Sequence, residues 1–181
     1  MAEPHLPGPA LLVVAAFSRH ADALEWAVER LTRDFGPIAL RSPLFSFHQT
    51  KYYEPTMGGG LQKQLCGFEQ LVPPEQLPRI KQRTNDLETE LAGTGRFPEP
   101  RPLNLDPGLL TLGKLVLATT KDQAHRIYLA DGIYAEVTLR FEAGEYVPWP
   151  WTYADYQEPA LRGALKDFRD YLKRAIAARS G

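Results

Sequence analysis

The feature that most limits how this chain can fold is the run Ala10-Leu-Leu-Val-Val-Ala-Ala-Phe17. A helix crossing a bilayer needs about 20 apolar residues, so these eight are too few. No basic segment precedes them, as one would in a secretory leader. Alternate residues of a strand point to opposite sides, so a strand apolar at every position must be covered on both faces. Residues 11–17 are therefore predicted to form a central strand. With 181 residues, 44% of them apolar, the chain can bury roughly 70% of its unfolded surface around such a strand. The expectation is one globular α+β domain over residues 10–178, behind a flexible Pro/Gly-bearing tail at residues 1–9. Cytoplasmic location and no membrane contact follow from the missing leader and span.

The formal net charge is −1, which supplies no general attraction to nucleic acid. Cys66 is the only cysteine, so an intrachain disulfide and a multi-cysteine metal site are excluded. Its surroundings, Leu65-Cys66-Gly67-Phe68, read as a buried strand with the thiol as a small core hydrophobe.

Helical spacing of Leu24, Ala27, Val28, Leu31 and Phe35 predicts a helix over 20–35, with Ser18 placed to cap it and Gly36-Pro37 to stop it. Imperfect alternation over 38–49, with Phe45 and Phe47 on one face, predicts a second strand. Tyr52-Tyr53-Glu54 and the triple glycine 58–60 form a loop, and residues 61–72 a third strand. Leu77, Ile80, Thr84, Leu87 and Leu91 stripe a helix over 75–91. Residues 101–105 suit a short strand and Asp106-Pro107-Gly108 a turn. Residues 109–120 fit either state, since Leu115-Val116-Leu117 would suit a strand, but Leu112, Leu115, Val116 and Thr119 favour a short helix capped by Thr111. Ala130-Asp131-Gly132 between apolar-polar runs signals a hairpin over 125–141, and Glu142 to Glu145 a second turn. The segment 148–156 is Pro-rich and aromatic, suited to packing a connection onto the core or to stacking a ring. Leu161, Leu165, Phe168, Leu172 and Ile176 stripe a last helix over 158–178. The predicted order is β-α-β-β-α-β, that of a ferredoxin-like unit, extended by a C-terminal hairpin and helix.

The densest polar region runs from Lys114 to Arg140. Lys114, Thr119, Thr120, Lys121, Arg126 and Arg140 are candidate ligand-binding residues, because ammonium, hydroxyl and guanidinium groups together suit phosphate or carboxylate. His125 and Glu136 are the candidate acid and base. Tyr134, Glu136, Thr138 and Arg140 share one face of their strand, and a register pairing Tyr128 with Tyr134 sets Arg126 opposite Glu136. The same charges on a solvent-facing strand can simply pair with one another, and that reading stands beside a ligand-facing one. Gly108-Leu-Leu-Thr-Leu-Gly113-Lys114-Leu115 matches a phosphate-binding loop only in part: Leu115 lacks the hydroxyl that Mg²⁺ needs, and the four residues between the glycines are bulky. His5, His20, His48 and His125 show no metal-ligand spacing, so no metal is expected, and no motif names a cofactor. Two functions fit: binding of a small phosphate-bearing molecule, with or without catalysis, or a noncatalytic protein- or RNA-interaction module. The second lacks an aromatic-glycine RNA-binding pattern.

Leu103-Asn-Leu-Asp-Pro-Gly108, Leu110-Thr-Leu, Lys114-Leu-Val-Leu-Ala-Thr-Thr-Lys121, His125-Arg-Ile-Tyr-Leu129, Gly132-Ile-Tyr-Ala-Glu-Val-Thr-Leu-Arg-Phe141 and Trp151-Thr-Tyr-Ala-Asp-Tyr156 stand together in this chain. With Phe35-Gly-Pro, Tyr52-Tyr-Glu54 and Met57-Gly58, they resemble the bacterial family known as domain of unknown function 4416 over roughly residues 11–175. The resemblance implies one cytoplasmic domain and no defined activity.

Overall fold

The computed structural model describes residues 3–47 and 53–180; His48 and Tyr52 lie outside them. Its strands are β1 (Ala10–Ser18), β2 (Ile38–Arg41), β3 (Phe45–Phe47), β4 (Leu61–Val72), β5 (Asn104–Leu110), β6 (Lys114–Thr119), β7 (Ile127–Ala130), β8 (Ile133–Glu142) and β9 (Glu145–Pro148). Its helices are α1 (Ala21–Phe35), α2 (Glu54–Met57), α3 (Leu77–Gly93) and α4 (Pro159–Ser180). The strands form one antiparallel sheet in the order β2-β4-β1-β5-β6-β8-β7, with β3 also on β4 and β9 also on β8.

β1 is internal, between β4 and β5, and both of its faces are covered as its composition requires. Leu11, Val13 and Ala15 meet Leu161, Leu165, Phe168 and Leu172 of α4. Leu12, Val14 and Ala16 meet Leu24 and Leu31 of α1 and Ile80, Leu87 and Leu91 of α3. The helical stripes thus point where their spacing demands: Leu31 and Leu87 are 0% exposed and Phe168 2%. Cys66 is buried on β4, and burial pushes its thiol up to about 11, away from reactivity at neutral pH. No helix among the described residues is long and apolar enough to cross a membrane.

Four local expectations are corrected. Ser18 does not cap α1: its hydroxyl donates to the Pro102 carbonyl at 2.6 Å and accepts from His20 N–H at 3.0 Å, and the helix starts after His20. The strand expected over 38–49 is broken into β2 and β3. At the break Ser42 is buried and its hydroxyl accepts the Leu65 N–H at 2.9 Å, ahead of Pro43. Residues 48 and 49 of that expected strand lie outside the described residues. Asp106-Pro107-Gly108 is not a turn but the middle of β5, paired with Ala15, Val14 and Val13.

Residues 109–120 are not a helix either. Leu109 and Leu110 end β5, and β6 returns from a turn in which the Thr111 hydroxyl accepts N–H bonds from Gly113 and Lys114 at 3.3 and 3.2 Å. The run Leu115-Val116-Leu117 suits a strand as readily as a helix. The open edges of β5 and β8 settle the matter, because ladder bonds and cross-strand packing override propensity there. Gly108 lets β6 close on β5: a Cβ at this position would stand 2.6 Å from the Val116 carbonyl oxygen. Gly108→Ala is expected to cost about 1–3 kcal/mol, the usual penalty of overpacking. A denaturant melt checks this, and an unchanged midpoint would contradict the close approach.

The β5–β6 ladder covers only Gly108↔Leu117 to Leu110↔Leu115. Beyond it β6 continues along β8 as far as Thr119↔Tyr134, whereas β5 continues along β1 to Asn104. The two strands therefore fork. Pro107, which has no N–H to offer a neighbour, is the first β5 residue past the ladder.

β7 and β8 are joined by Asp131-Gly132, both with left-handed φ (53° and 76°), the two-residue hairpin that the sequence signalled. The register pairs Tyr128 with Tyr134. On the outer edge of β8, β7 pairs with residues 133–135 and β9 with 139–142. The interval is closed by the aromatic segment: Trp151 Nε1 donates to the Val137 carbonyl at 3.2 Å, and the Thr152 hydroxyl to that of Thr138 at 2.6 Å.

Candidate functional site

At the fork lies a cavity of about 440 Å³. Asn104 and Asp106 of β5 form one side and Leu117, Ala118 and Thr119 of β6 another. Phe17, Phe47, Tyr53, Lys63 and residues 153–156 complete its aromatic side, while Lys81 and Asn85 of α3 and Arg101 line it as well. Its size falls within the usual range for a small-molecule site.

Three polar clusters line this space. In the first, Lys81 is only 5% exposed and donates to the Leu105 carbonyl at 2.9 Å and to Asp106 Oδ1 at 3.3 Å. Asn104 Nδ2 donates to Asp106 Oδ2 at 2.9 Å, and Asn104 Oδ1 accepts from Arg101. Behind them Glu88 accepts from Arg101 Nη2 at 2.8 Å and from the Leu105 N–H at 2.7 Å. Burial pushes the Glu88 carboxyl up, against the pull of Arg101 and Lys81. Burial also pushes the Asp106 carboxyl up, but the charges of Lys81 and Lys63 and the bonds from Lys81 and Asn104 outweigh it and hold it below the usual carboxylate range. Asp106 is thus a fixed anion whose side chain remains 29% exposed beside the cavity.

In the second cluster, Lys63 is ion-paired with Asp155 and sits over the rings of Phe17, Phe47 and Tyr156, 4.7, 5.3 and 4.6 Å from their centroids. An apolar stem below a paired, ring-covered ammonium is how a lysine tolerates 3% exposure. Burial pushes the Tyr53 and Tyr156 phenols well above their ordinary value, so both stay neutral.

In the third cluster, Arg126 Nε donates to Glu136 Oε2 at 2.8 Å, Nη1 to the Lys121 carbonyl at 3.0 Å and Nη2 to the Tyr153 hydroxyl at 2.8 Å. Thr138 Oγ1 donates to Glu136 Oε1 at 3.2 Å. The opposition of Arg126 and Glu136 follows from the Tyr128–Tyr134 register, but a solvent-facing pair is corrected. The side chains are 1% and 2% exposed, because the 149–156 segment covers them.

The cavity gathers Thr119, Thr120, Lys121, Arg126 and Glu136 from the candidates read in the sequence. His125 stays outside its lining: its ring stacks on Trp151 (centroids 5.4 Å apart), with Nε2 3.3 Å from Glu136 Oε2. Lys114 and Arg140 lie elsewhere, as cross-strand neighbours at the far end of β6 and β8. Arg140 pairs with Glu142 at 2.8 Å and packs over Trp149 at 4.3 Å. No group of three or more metal-ligating side chains occurs among the described residues.

Lys63, Lys81, Arg101, Asn104, Asp106 and Asp155 belong to this cavity and were not candidates in the sequence reading. One signal was available for two of them. Lys63 alternates with Leu61 and Leu65, and Lys81 stands four residues after Leu77 and three before Thr84, so each is a cation in phase with a buried face. No curated protein and no solved structure matches the chain. Over residues 8–171, which take in every strand and cavity residue described above, the chain matches the family described as Domain of unknown function (DUF4416), and the protein belongs to that family.

Proposed function

We propose that this protein binds a small anionic molecule, with phosphate as the leading anion, in the cavity between β5 and β6. The observation that carries this reading is charge. Lys63, Lys81, Arg101, Lys121 and Arg126 line the cavity against Asp106, Glu136 and Asp155, with Glu88 behind Arg101 as the fourth carboxylate, in a chain whose net charge is −1. A concave site with a local cationic excess and low-dielectric aromatic walls concentrates anions. We read the half of the sheet in the order β2-β4-β1-β5 as the ferredoxin-like unit expected from the sequence, with the fork at its β5 edge.

A thermal-shift screen against inorganic phosphate, phosphomonoesters and dicarboxylates tests the proposal. A ligand at 100 times its dissociation constant adds about 2.7 kcal/mol, which such a screen resolves. Lys121 is exposed on the 120–126 loop, so its substitution spares the core. Lys121→Ala is expected to weaken anion binding about 10-fold, in keeping with one charge-assisted contact, and to leave the melting temperature of the free protein within a degree or two. Calorimetry at two salt concentrations checks it. Salt-independent binding, or an unchanged affinity in Lys121→Ala, would remove Lys121 from the site.

A further inference from the structure

We infer that the ligand of this cavity is a phosphorylated polyol, of the sugar-phosphate class, rather than a nucleotide; the inference rests on the anion-binding reading above and specifies its organic part. Two observations carry it. The first is that four of the five cavity rings, Phe17, Phe47, Tyr53 and Tyr156, are packed against one another or under Lys63. Phe17 and Phe47 stack on each other with centroids 5.4 Å apart, and Tyr53 meets both edge-on at 5.3 and 5.7 Å. Lys63 covers the faces of Phe17, Phe47 and Tyr156. A nucleobase needs an open ring face on which to stack, and of the cavity rings only Tyr153, 45% exposed, stands apart from this packed group.

The second observation is the polar equipment inside. Asp106 is a fixed carboxylate, still 29% exposed, able to accept from ligand hydroxyls. Beside it Lys81 spends two N–H bonds on Leu105 and Asp106, leaving one of its three donors. Asn85, one turn further along α3, lines the same space with a carboxamide that both donates and accepts and makes no hydrogen bond to another of the described residues. A carboxylate, an ammonium and a carboxamide held together match vicinal hydroxyls, each of which donates and accepts. The Asp106 carboxylate also repels a phosphoryl group. That sends the phosphoryl group to the more exposed cations, Arg101, whose side chain is 38% exposed, and Lys121, and leaves the hydroxyls to the interior.

The test is calorimetry on the full chain with inorganic phosphate, a pentose phosphate, a hexose phosphate, the unphosphorylated sugars and adenosine monophosphate. The wild type is expected to bind at least one sugar phosphate 10-fold or more tighter than inorganic phosphate or the mononucleotide. Asp106→Asn is expected to weaken the sugar phosphate about 10-fold while inorganic phosphate binds as well as before or better, since a repelling charge is gone. Asn85→Ala, at a half-buried position whose carboxamide has no hydrogen-bond partner among the described residues, is expected to weaken the sugar phosphate alone and to melt like the wild type. A nucleotide that binds as tightly as the sugar phosphates, or equal affinity for every phosphate tested, would overturn the polyol inference and leave anion binding standing. Absence of binding by every anion would instead overturn the anion-binding reading itself.

Discussion

Arg126→Ala is expected to destabilise the protein by about 3–5 kcal/mol, a loss that would dominate any effect on a ligand. The substitution leaves Glu136 2% exposed with its principal cation gone, and an uncompensated buried charge carries a penalty of this size. Thr138 at 3.2 Å and His125 at 3.3 Å remain beside the carboxylate, but neither replaces a guanidinium Nε–H at 2.8 Å. The Tyr153 hydroxyl and the Lys121 carbonyl lose their donors in the same stroke. At about 2–4 °C per kcal/mol for a chain of this length, the melting temperature should fall by roughly 6–20 °C. Arg126→Lys should recover only part of this, since one ammonium cannot serve three acceptors in the geometry of a planar fork. The double variant Arg126→Met/Glu136→Leu should be more stable than Arg126→Ala, because it removes both charges from the buried site rather than one. Urea melts of the three variants decide the matter. A near-native midpoint for Arg126→Ala would mean that Glu136 is not held in a buried pair, and equal midpoints for the single and double variants would mean that the two residues are not coupled.

Phe168→Ala should cost about 3–5 kcal/mol, the range for deleting a fully buried aromatic ring. Phe168 is 2% exposed in the layer between α4 and the sheet, with Leu11, Leu65, Leu165 and Leu172 in the same cluster. The penalty of such a deletion depends on how far the surroundings collapse into the void. Here the floor beneath the ring is Gly67 of β4, where even a Cβ would stand 3.0 Å from two ring carbons. A glycine has no side chain to move into the vacated space, which places the loss toward the upper end of the range. Gly67→Ala in the wild-type background should destabilise by crowding that same ring. In the Phe168→Ala background the added methyl should restore stability, so the two effects are non-additive. A double-mutant cycle read by chemical denaturation measures the coupling, and additive losses would show that ring and glycine do not share one contact.

What the sequence determined by itself is whatever depends on local chemistry and period. The apolar run of β1 demanded cover on both faces, and the stripes on α1, α3 and α4 supplied it. Asp131-Gly132 specified a two-residue hairpin, because the turn needs left-handed φ at both positions. The hairpin alone would set Tyr128 opposite Ala135; the register shift between Tyr128 and Ala130 moves that pairing to Tyr134 and so puts Arg126 opposite Glu136.

The tertiary structure decided what depends on neighbours remote in the chain. Thr111 to Thr119 carries helical and strand spacing at once, and only the unpaired edges of β5 and β8 made β6 a strand. Asp106-Pro107-Gly108 has turn composition, yet it lies extended along β1, with Gly108 serving the close approach of β6. Half of the candidate site was legible, because Thr119 to Glu136 is contiguous and polar. Lys63, Lys81, Arg101 and Asp155 come from four other places and meet only where β5 and β6 part. The Lys63–Asp155 contact spans 92 residues of sequence. A pattern of spacing within one segment cannot report such an encounter, because the loops between the residues, not their periods, determine which side chains face the same cavity.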